Sequence, residues 1–524
     1  MSAPEGLYER VLAAAGGALP AVRPPRPSAA VVLWRRRGEG IEVYWLRRGH
    51  GLPFMAGWHA FPGGGVDRDD ATLPVAGAPH HPAPHEPTRP SPDSPGPLDI
   101  DLAPGVAAAA LRELFEEAGV LLVRGGGIGE PARLRRDLLA KRATLGEALA
   151  AAGAALDAGR LVFAGRWLTP PFSPLRFDNR FFLAEWRAVD GAPAVAPPES
   201  EDGAWIAPAD ALAELAASRV LAAPPILHLL RVLAEAGPDP DSPRWRSTAE
   251  ADLGPLRRIE LRPGILLFPL AAATLPPASH TNAFVVGTGE CVLVDPGSPF
   301  PEENERLLAA LAAAERELGR RVVAIWLTHH HPDHVAGATA LARRLGVPIA
   351  AHAATAERVA ARGISVARRL APDDEVELAG EPAMRLRLHH TPGHARGHLA
   401  IEVAGTGDLL GGDLVAGFGT IVIDPPEGDM DDYLDSLARM QTRGFRTLFP
   451  SHGAPFLDVD GKLGESIEHR LARERQVLDG WRRGLRRPAD FLPEIYPEVP
   501  AAIRPLAERQ VVAHLERLGR RGAL

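Results

Sequence analysis

The chain has 524 residues, and at about 150 residues per domain this length suggests roughly three domains. Hydrophobic residues make up 46% and charged residues 24%, which excludes a wholly disordered chain, and no collagen-like period is present. The net charge of −8 argues against a basic coat for nucleic acid. The single cysteine, Cys291, excludes an internal disulfide, so any metal must be held by histidine and carboxylate. No signal peptide or membrane-spanning run is found, and we expect a cytoplasmic protein without membrane contact.

The N-terminal part of the chain predicts strands followed by an acidic helix. Residues 1–27 are expected to form a lead segment, and residues 28–235 a first domain. Within that domain, the apolar runs Ala29–Trp34 and Glu42–Leu46 flank a polar turn, which predicts a β-hairpin. The apolar spacing predicts a helix over Val106–Ala118, ended by the glycine that follows it.

A proline-rich segment separates the hairpin from this helix. Residues 73–104 contain 10 prolines in 32 positions, mixed with serine, aspartate, glycine and histidine. Such a composition lacks the apolar side chains that build a core. We therefore predict a disordered surface insertion over residues 73–104.

The helix that follows the insertion carries three acidic side chains on one face. Glu113, Glu116 and Glu117 stand at i, i+3 and i+4, a spacing that makes neighbours on a helix surface. Three like charges in one place are unfavourable unless a cation neutralises them. Carboxylate oxygens favour Mg²⁺ or Mn²⁺, so the pattern predicts a magnesium or manganese site, with Arg112 available to orient the cluster.

The run from Arg112 to Val120, together with the earlier Phe61-Pro-Gly-Gly64, resembles the Nudix box of the Nudix hydrolases. The resemblance covers about residues 28–235 and implies an α/β/α sandwich that cleaves a diphosphate linkage. It implies that the three glutamates hold the metal, that Glu116 or Glu117 acts as the base, and that Gly64 and Arg112 contact the substrate.

The box departs from the usual pattern in two respects. Asp70 stands where the family has glutamate, and it lies 42 positions before Arg112 instead of 8. The excess of 34 positions is the proline-rich insertion. With Arg47-Arg48 upstream and the stretch 176–182 downstream, the split box looks like the coenzyme A diphosphatase branch. This resemblance implies a small nucleoside diphosphate derivative as substrate.

A second block of strands and helices follows a predicted linker over residues 236–258. Residues 259–463 are expected to form an α/β domain, with helices between strands. After the apolar strand Val322–Leu327 comes Thr-His-His-His-Pro-Asp-His, which places four candidate ligands at the end of one strand. Three further candidates follow on separate turns. The seven candidate ligands are His329, His331, Asp333, His334, His394, Asp413 and His452. Imidazole and carboxylate in this combination predict a zinc centre.

This block resembles the metallo-β-lactamase fold over about residues 259–460, which implies an αββα sandwich with two zinc ions. The resemblance assigns His329, His331 and His394 to one zinc, and Asp333, His334 and His452 to the other. It makes Asp413 the bridge and Asp333 the acceptor of a proton from water. Asp295 matches a residue that supports the ligand loop, and His330 and His398 are expected to play structural roles.

The final segment, residues 464–524, is predicted to be helical. Together with the stretches 280–284, 421–430 and 433–436, it resembles the β-lactamase-like protein 2 family and its small winged-helix-like domain. Family members include single-strand endoribonucleases, and residues 466–524 carry 12 arginines against 8 acidic residues, which favours a phosphate-bearing partner such as single-stranded RNA.

The sequence thus predicts an α/β and α+β chain in which two metal-dependent hydrolases are fused: a Nudix diphosphatase and a zinc phosphodiesterase. Two alternatives stay open. The second domain can be a thioesterase of the glyoxalase II type, or the chain can be an RNA-binding or regulatory protein with one degenerate hydrolase domain.

Overall fold

The computed structural model divides the chain into two compact units, one over residues 22–257 and one that contains residues 258–524. It describes residues 24–52, 55–80, 105–169, 173, 175–240, 242, 259–275, 278–417, 419–497, 499 and 503–524. Within these ranges, no helix combines the length and apolar character needed to cross a bilayer.

In its described part, the first unit contains two sheets, one of seven strands and one of three, and five α-helices. Its strands are β1 (Arg26–Arg37), β2 (Gly40–Arg48), β3 (His59–Ala60), β4 (Gly63–Gly65), β5 (Val75–Ala76), β6 (Val123–Gly125), β7 (Ala154–Asp157), β8 (Val162–Leu168), β9 (Phe177–Glu185) and β10 (Ser200–Ile206). Its helices are α1 (Val106–Ala118), α2 (Pro131–Leu139), α3 (Leu145–Ala152), α4 (Pro208–Ala216) and α5 (Pro224–Ala236).

The larger sheet of this unit has the order β10-β2-β1-β9-β8, with β3 beside β2 and β4 beside β1. The predicted hairpin is confirmed, since β1 and β2 pair antiparallel, whereas β1 and β9 run parallel. Alternate residues of β1, including Val31 and Leu33, pack with Leu111 and Phe115 of α1 in one buried cluster. The acidic helix therefore lies on this sheet through its apolar face, as its periodicity predicts.

The limits of α1 agree with the prediction, and Gly119 ends the helix in a left-handed conformation with φ of 71°.

The predicted disorder of residues 73–104 is wrong at its N-terminal end. Residues 75–76 form β5 beside β7, Leu73 packs on the core, and the backbone of His80 pairs with Leu161 and Phe163. Apolar residues on either side of Pro74 supply the contacts that the proline count concealed; residues 81–104 lie outside the described part.

The second unit contains two sheets with helices on their outer faces. The first sheet is formed by β11 (Ile259–Arg262), β12 (Ile265–Ala271), β13 (His280–Val286), β14 (Glu290–Val294), β15 (Arg321–Leu327), β16 (Ile349–His352) and β17 (Arg368–Leu370). The second is formed by β18 (Glu375–Leu378), β19 (Met384–His390), β20 (Leu399–Val403), β21 (Asp408–Gly412) and β22 (Thr447–Pro450). In each sheet the strands are bonded in chain order.

The described helices of this unit are α6 (Pro301–Leu318), α7 (Pro332–Val335), α8 (Ala338–Leu345), α9 (Ala353–Ala360), α10 (Met430–Gln441), α11 (Val459–Arg482), α12 (Pro488–Ile495) and α13 (Arg504–Arg520). Helices α6 and α8 pack on the first sheet, and α10 packs on the second. The rings of Phe284 in β13 and Phe449 in β22 meet edge to face at 6.1 Å, so the two sheets face each other. The layers are helix, sheet, sheet, helix.

The C-terminal segment is helical in its described part, as predicted, but α11 begins at Val459 and continues through the predicted boundary at residue 463. Helices α11, α12 and α13 share a small apolar core around Val477, Phe491 and Val511. Leu463 of α11 and Ala513 of α13 join the cluster that includes α10, so this segment packs against the second sheet's helix.

Candidate functional site

The seven predicted zinc ligands of the second unit meet at one edge of its two sheets. His329, His331, Asp333 and His334 follow β15, the last two on the short helix α7. The other three lie on turns: His394 between β19 and β20, Asp413 directly after β21, and His452 two residues after β22. All seven are at most 7% exposed. Strands that end at the same edge bring these turns together.

The ligand atoms form two groups that share an aspartate. His329, His331 and His394 offer atoms that all lie within 4.8 Å of one another, and so do Asp333, His334 and His452. Asp413 stands between the groups. Its Oδ2 lies 3.3 Å from Nε2 of His394, and its Oδ1 lies 3.5 Å from Nε2 of His334 and of His452. These two sets repeat the grouping that the motif resemblance implies. A third set with ligand atoms equally close together, Asp295, His329 and His334, crosses it.

The donor set fits zinc. Nε2 of His329, His334 and His452 and the oxygens of Asp333 are buried without a hydrogen-bond partner in the described part of the chain. Buried polar atoms of this kind are costly unless a partner compensates them. Imidazole nitrogen and carboxylate oxygen are ordinary zinc ligands, and a metal ion would satisfy all of these atoms at once.

The outer nitrogens of three of the imidazoles are held by neighbours, which fixes the direction of the inner nitrogens. His334 Nδ1 lies 2.9 Å from Asp295 Oδ2, His394 Nδ1 lies 2.6 Å from the Val422 carbonyl, and His452 Nδ1 lies 3.2 Å from the His280 carbonyl. Such contacts set the tautomer and orientation of metal-binding histidines.

Asp295 supports the ligand loop, in the role that the sequence comparison implies. Its Oδ1 accepts from the Thr328 amide at 2.8 Å, and its Oδ2 accepts from the Thr328 hydroxyl at 2.5 Å. With His334 as a further partner, both of its oxygens are occupied. The residue has a φ of 49°, a left-handed conformation that aspartate adopts more readily than most residues other than glycine.

His398 supports the backbone of a candidate ligand, in keeping with the structural role expected for it. Its Nε2 accepts the backbone N–H of Asp413 at 2.9 Å, and its Nδ1 lies 2.7 Å from the Thr391 hydroxyl. Burial lowers the pKa of His398 to about 3, so the imidazole stays neutral and able to accept. Gly412, which precedes Asp413, leaves room for this ring, because a Cβ there would lie 2.5 Å from His398 Nε2.

The protein groups alone create contrasting electrostatics at this site. Burial lowers the pKa of His329 and His331 well below the ordinary histidine value, which favours the neutral form that binds metal. For His334 burial acts in the same direction, but Asp413 and Asp333 raise its pKa well above that value. Burial opposes the charge of Asp413, yet His334 and His452 hold its pKa well below the ordinary range.

The predicted site of the first unit is organised around Arg112. Its guanidinium donates two bonds to Asp70, at 2.7 and 2.9 Å, and one to the Gly65 carbonyl at 2.9 Å. Its Nη1 also contacts Glu113 Oε1 at 2.9 Å and Glu116 Oε2 at 3.1 Å. Asp70, the residue that departs from the Nudix pattern, thus pairs with Arg112 although 42 positions separate them.

The glutamates of this site lie against the glycine turn. Glu117 Oε2 accepts the amide of Gly63 at 2.8 Å, and a Cβ at Gly64 would lie 2.4 Å from Glu113 Oε1. Burial raises the pKa of Glu113 to about 7 and that of Glu117 to about 8. It also raises the pKa of Glu116. The absent side chain at Gly64 therefore makes room for a carboxylate.

The two sites differ in how closely their acidic and imidazole groups converge. Among the described residues, sets of three such groups with ligand atoms within 4.8 Å of one another lie only in the second unit. Two further glutamates stand near strand β10. Glu201 binds the backbone N–H of His50 at 2.8 Å and lies 2.7 Å from the Nδ1 of the His50 ring. Glu199 is exposed, and its charge raises the pKa of Glu113 and Glu117.

Comparisons with known protein families match the second unit. Residues 276–452 match the model of the metallo-beta-lactamase superfamily, and residues 488–523 match that of the beta-lactamase associated winged helix domain. The beta-lactamase-like protein 2 homolog of Caenorhabditis elegans is 29% identical over 47% of this chain and 80% of its own length. The homolog of Drosophila melanogaster is 28% identical over 47% and 84%. An atrochrysone carboxyl ACP thioesterase of Aspergillus fumigatus is 29% identical over 38% and 58%.

Two solved structures are similar to parts of the chain. A metallo-beta-lactamase family protein from Thermus thermophilus is 27% identical with a TM-score of 0.42, over 50% of this chain and 94% of its own. A NUDIX hydrolase from Alicyclobacillus acidocaldarius is 31% identical with a TM-score of 0.35, over 45% of this chain and 100% of its own.

The family models and the curated relatives agree on the second unit, whose superfamily points to a hydrolase. The predicted metallo-β-lactamase fold and winged-helix tail are confirmed, and the histidine–aspartate groups lie within the matched range. The chain therefore contains a metallo-β-lactamase domain with homologues among the beta-lactamase-like 2 proteins, followed by a β-lactamase-associated winged-helix domain.

Proposed function

We propose that the second unit is a hydrolase with a dinuclear zinc centre. The observation that carries this proposal is the pair of three-donor groups on either side of Asp413. One zinc ion would be held by His329, His331 and His394, and the other by Asp333, His334 and His452. Asp413 would bridge the two ions, because its two oxygens face different groups.

Zinc ions in these positions would supply Lewis acidity and would lower the pKa of a water molecule. The protein itself supplies an acceptor for the proton that this water loses. Asp333 is fully buried, and Oδ1 and Oδ2 have no hydrogen-bond partner in the described part of the chain. Its Oδ2 lies 3.6 Å from Nε2 of His452, on the ligand-facing side of that ring. A carboxylate placed there can take the proton as the attack proceeds.

We propose a phosphodiester of single-stranded RNA as the substrate of this site. The support is the resemblance to beta-lactamase-like protein 2 homologues over most of their length, together with the winged-helix tail. Arg475, Arg482 and Arg486 are exposed in that tail, and Arg486 covers the ring of Trp481 at 4.1 Å. Exposed arginines beside an aromatic ring suit a backbone phosphate and a stacked base.

A thioester is the second candidate substrate, and a specific observation favours it. One relative that matches the same domain is named as a thioesterase for a substrate carried on an acyl carrier protein. This chain spans 58% of that relative, against 80% of the beta-lactamase-like homologue, so we place the phosphodiester first.

A direct comparison of substrates tests these two candidates. The zinc-loaded full chain should cleave a fluorophore-labelled single-stranded RNA faster than it releases thiol from an acyl-CoA or S-lactoylglutathione, and Asp413→Ala should lose the activity. Thiol release without RNA cleavage would replace the phosphodiester by the thioester. Cleavage of neither substrate, with RNA bound and not cut, would favour an RNA-binding or regulatory protein.

For the first unit we propose a Nudix diphosphatase that uses Mg²⁺ or Mn²⁺ at Glu113, Glu116 and Glu117. The support is the motif together with the contacts of Arg112, which joins the acidic helix to Asp70 and to the glycine turn. A bound divalent ion would neutralise the diphosphate of the substrate. Incubation of the full chain with coenzyme A, NADH or a nucleoside diphosphate sugar should release two phosphate-bearing products only when Mg²⁺ or Mn²⁺ is present.

A further inference from the structure

The C-terminal helices contact the loop on which one zinc ligand depends. This loop runs from β21 to α10, and its Val422 carbonyl lies 2.6 Å from Nδ1 of His394. Val422 has no side-chain group that could fix its own carbonyl. The orientation of that carbonyl therefore depends on what holds the residues on either side of it.

Gln510 of α13 holds the residue after Val422 through both ends of its amide. Its Oε1 accepts from the Ile423 N–H at 3.2 Å, and its Nε2 donates to the Ile423 carbonyl at 3.0 Å. Gln510 is 6% exposed, so water does not compete with these bonds. The planar amide thus binds one backbone residue from both sides, as a neighbouring strand would.

Arg470 of α11 holds the residue before Val422. Its Nη2 donates to the Ile421 carbonyl, and its Nη1 donates to Gln510 Oε1 at 3.1 Å. Arg470 is 2% exposed, and its guanidinium lies 5.5 Å from the centre of the Tyr433 ring. Arg509 of α13 binds the loop residue that follows Ile423, because its Nε lies 2.5 Å from Asp424 Oδ1.

We infer that Gln510 and Arg470 are positioning residues for the metal centre. By fixing Ile421 and Ile423 they fix the Val422 carbonyl, and this carbonyl selects the Nδ1–H tautomer of His394. The Nε2 of His394 then faces Asp413 Oδ2 at 3.3 Å. The inference rests on the proposed zinc site and gives the winged-helix tail a second task beside any contact with substrate. Groups that orient metal ligands in this way typically change metal affinity roughly 10- to 100-fold when they are lost.

Only one of the two metal positions should depend on the C-terminal helices. Only the group of His329, His331 and His394 contains a ligand oriented through Val422. The other group is oriented from within the domain, because His334 is held by Asp295 and His452 by the His280 carbonyl. Loss of Gln510 should therefore weaken one position and leave the other within a few-fold.

The test is a titration of the metal-free full chain with Co²⁺, followed by visible absorption and then by Zn²⁺ competition. In Gln510→Ala, one of two Co²⁺ sites should weaken roughly 10- to 100-fold, with a changed spectrum at that site. Gln510→Glu should show a smaller loss, because its carboxylate still accepts from Ile423 and Arg470 but cannot donate. The matched control is Val511→Ala, which weakens the tail's own core without touching the loop.

The outcomes separate the inference from the proposal on which it rests. If Gln510→Ala keeps both affinities, or if Val511→Ala weakens the same site equally, the positioning role is wrong. If Gln510→Ala does not fold, Gln510→Glu decides by the same criterion. If the unmodified chain binds fewer than two Co²⁺ ions at histidine-rich positions, the zinc centre itself is wrong, and the positioning role fails with it.

Discussion

The two candidate metal sites of this chain differ in how their charges are balanced by the protein. In the first unit, Arg112 lies among the acidic side chains and contacts Asp70, Glu113 and Glu116. In the second unit, the buried oxygens of Asp333 face other ligands without a hydrogen-bond partner in the described residues. One site carries its own cation, and the other presents donors that a metal would satisfy.

This difference predicts different metal chemistry. A site whose outer atoms are held and whose inner atoms converge is preorganised, so it should retain ions strongly. The glutamate site must first separate its carboxylates from Arg112, and burial holds the pKa of Glu113 at about 7 and that of Glu117 at about 8. Its metal should bind weakly and reversibly, in company with a substrate that brings its own phosphates.

The largest expected effect is that of Asp413→Ala on the second unit. Removing the shared carboxylate leaves two like-charged ions without their bridge, which should cost several kcal/mol of transition-state stabilisation. We expect the zinc-dependent activity to fall roughly 10³-fold or more. The diphosphatase activity should stay within a few-fold.

Asp435→Ala is the matched control, because Asp435 is exposed on α10 and away from the ligand set. It should keep both activities. Loss of both activities in a folded Asp413→Ala protein would show that the two units share one site.

Glu116→Gln tests the glutamate site of the first unit. It removes one charge from the predicted magnesium site at nearly constant shape, and the diphosphatase activity should fall roughly 10²- to 10³-fold. The zinc-dependent activity should not change. Glu130→Gln, at an exposed residue of the same unit, provides the control. An unaffected diphosphatase rate in Glu116→Gln would place the catalytic metal elsewhere.

Asp70→Ala should have a smaller effect, which is a loss of stability in the first unit. Asp70 is 2% exposed and pairs through two bonds with Arg112, which keeps its contacts to Glu113 and Glu116 in the variant. Loss of one partner of a buried ion pair costs roughly 3–5 kcal/mol. Because Arg112 retains two other carboxylates, we expect the free energy of unfolding, measured by urea denaturation, to fall by about 2 kcal/mol. Asp137→Ala removes an exposed pair with Arg142 and should leave that free energy unchanged. Equal results for the two variants would show that the Arg112 network adds no stability.

The smallest effect at neutral pH concerns His59, a half-buried histidine of the first unit that belongs to no predicted ligand set. Burial lowers its pKa to about 4, with Arg47 acting in the same direction and Asp202 and Glu214 against it. The unfolded chain takes up this proton near pH 6.5 and the folded chain near pH 4. Stability is therefore lost as the pH falls through that window, by at most about 1.4 kcal/mol per pH unit.

In His59→Phe, which can keep the ring contact with Trp45, this part of the slope should vanish. Urea denaturation of both proteins at several values between about pH 4 and pH 7 measures it, and parallel slopes would contradict the assignment. The result would also show that a histidine outside the candidate ligand set is sensitive to acid, so acid sensitivity does not identify zinc ligands.

The seven candidate zinc ligands could be identified from the sequence because their positions follow a regular spacing. Four of the seven stand close together after one strand, and each of the others follows a short strand or turn. The supporting atoms were harder to predict, since the carbonyls of Val422 and His280 act through the backbone and leave no residue type to recognise. Gln510 is separated from its partner Ile423 by 87 positions, and no local pattern links them.

The fold was predictable where apolar spacing was regular and less so where composition was unusual. The hairpin of β1 and β2 and the limits of α1 follow directly from periodicity and from Gly119. Strand β5 was missed because it is two residues long and lies within proline-rich sequence. Its pairing depends on β7, which lies far along the chain, beyond α1, α2 and α3.

One site of this chain is preorganised for transition metals, and the other is balanced by its own arginine. Metal analysis of the full chain, expressed with zinc and manganese and then dialysed extensively, tests this difference most directly. We predict about two zinc ions retained per chain and no manganese, with Mn²⁺ binding restored reversibly on addition and lost in Glu116→Gln. Retention of manganese on the first unit, or loss of zinc from the second, would contradict the account.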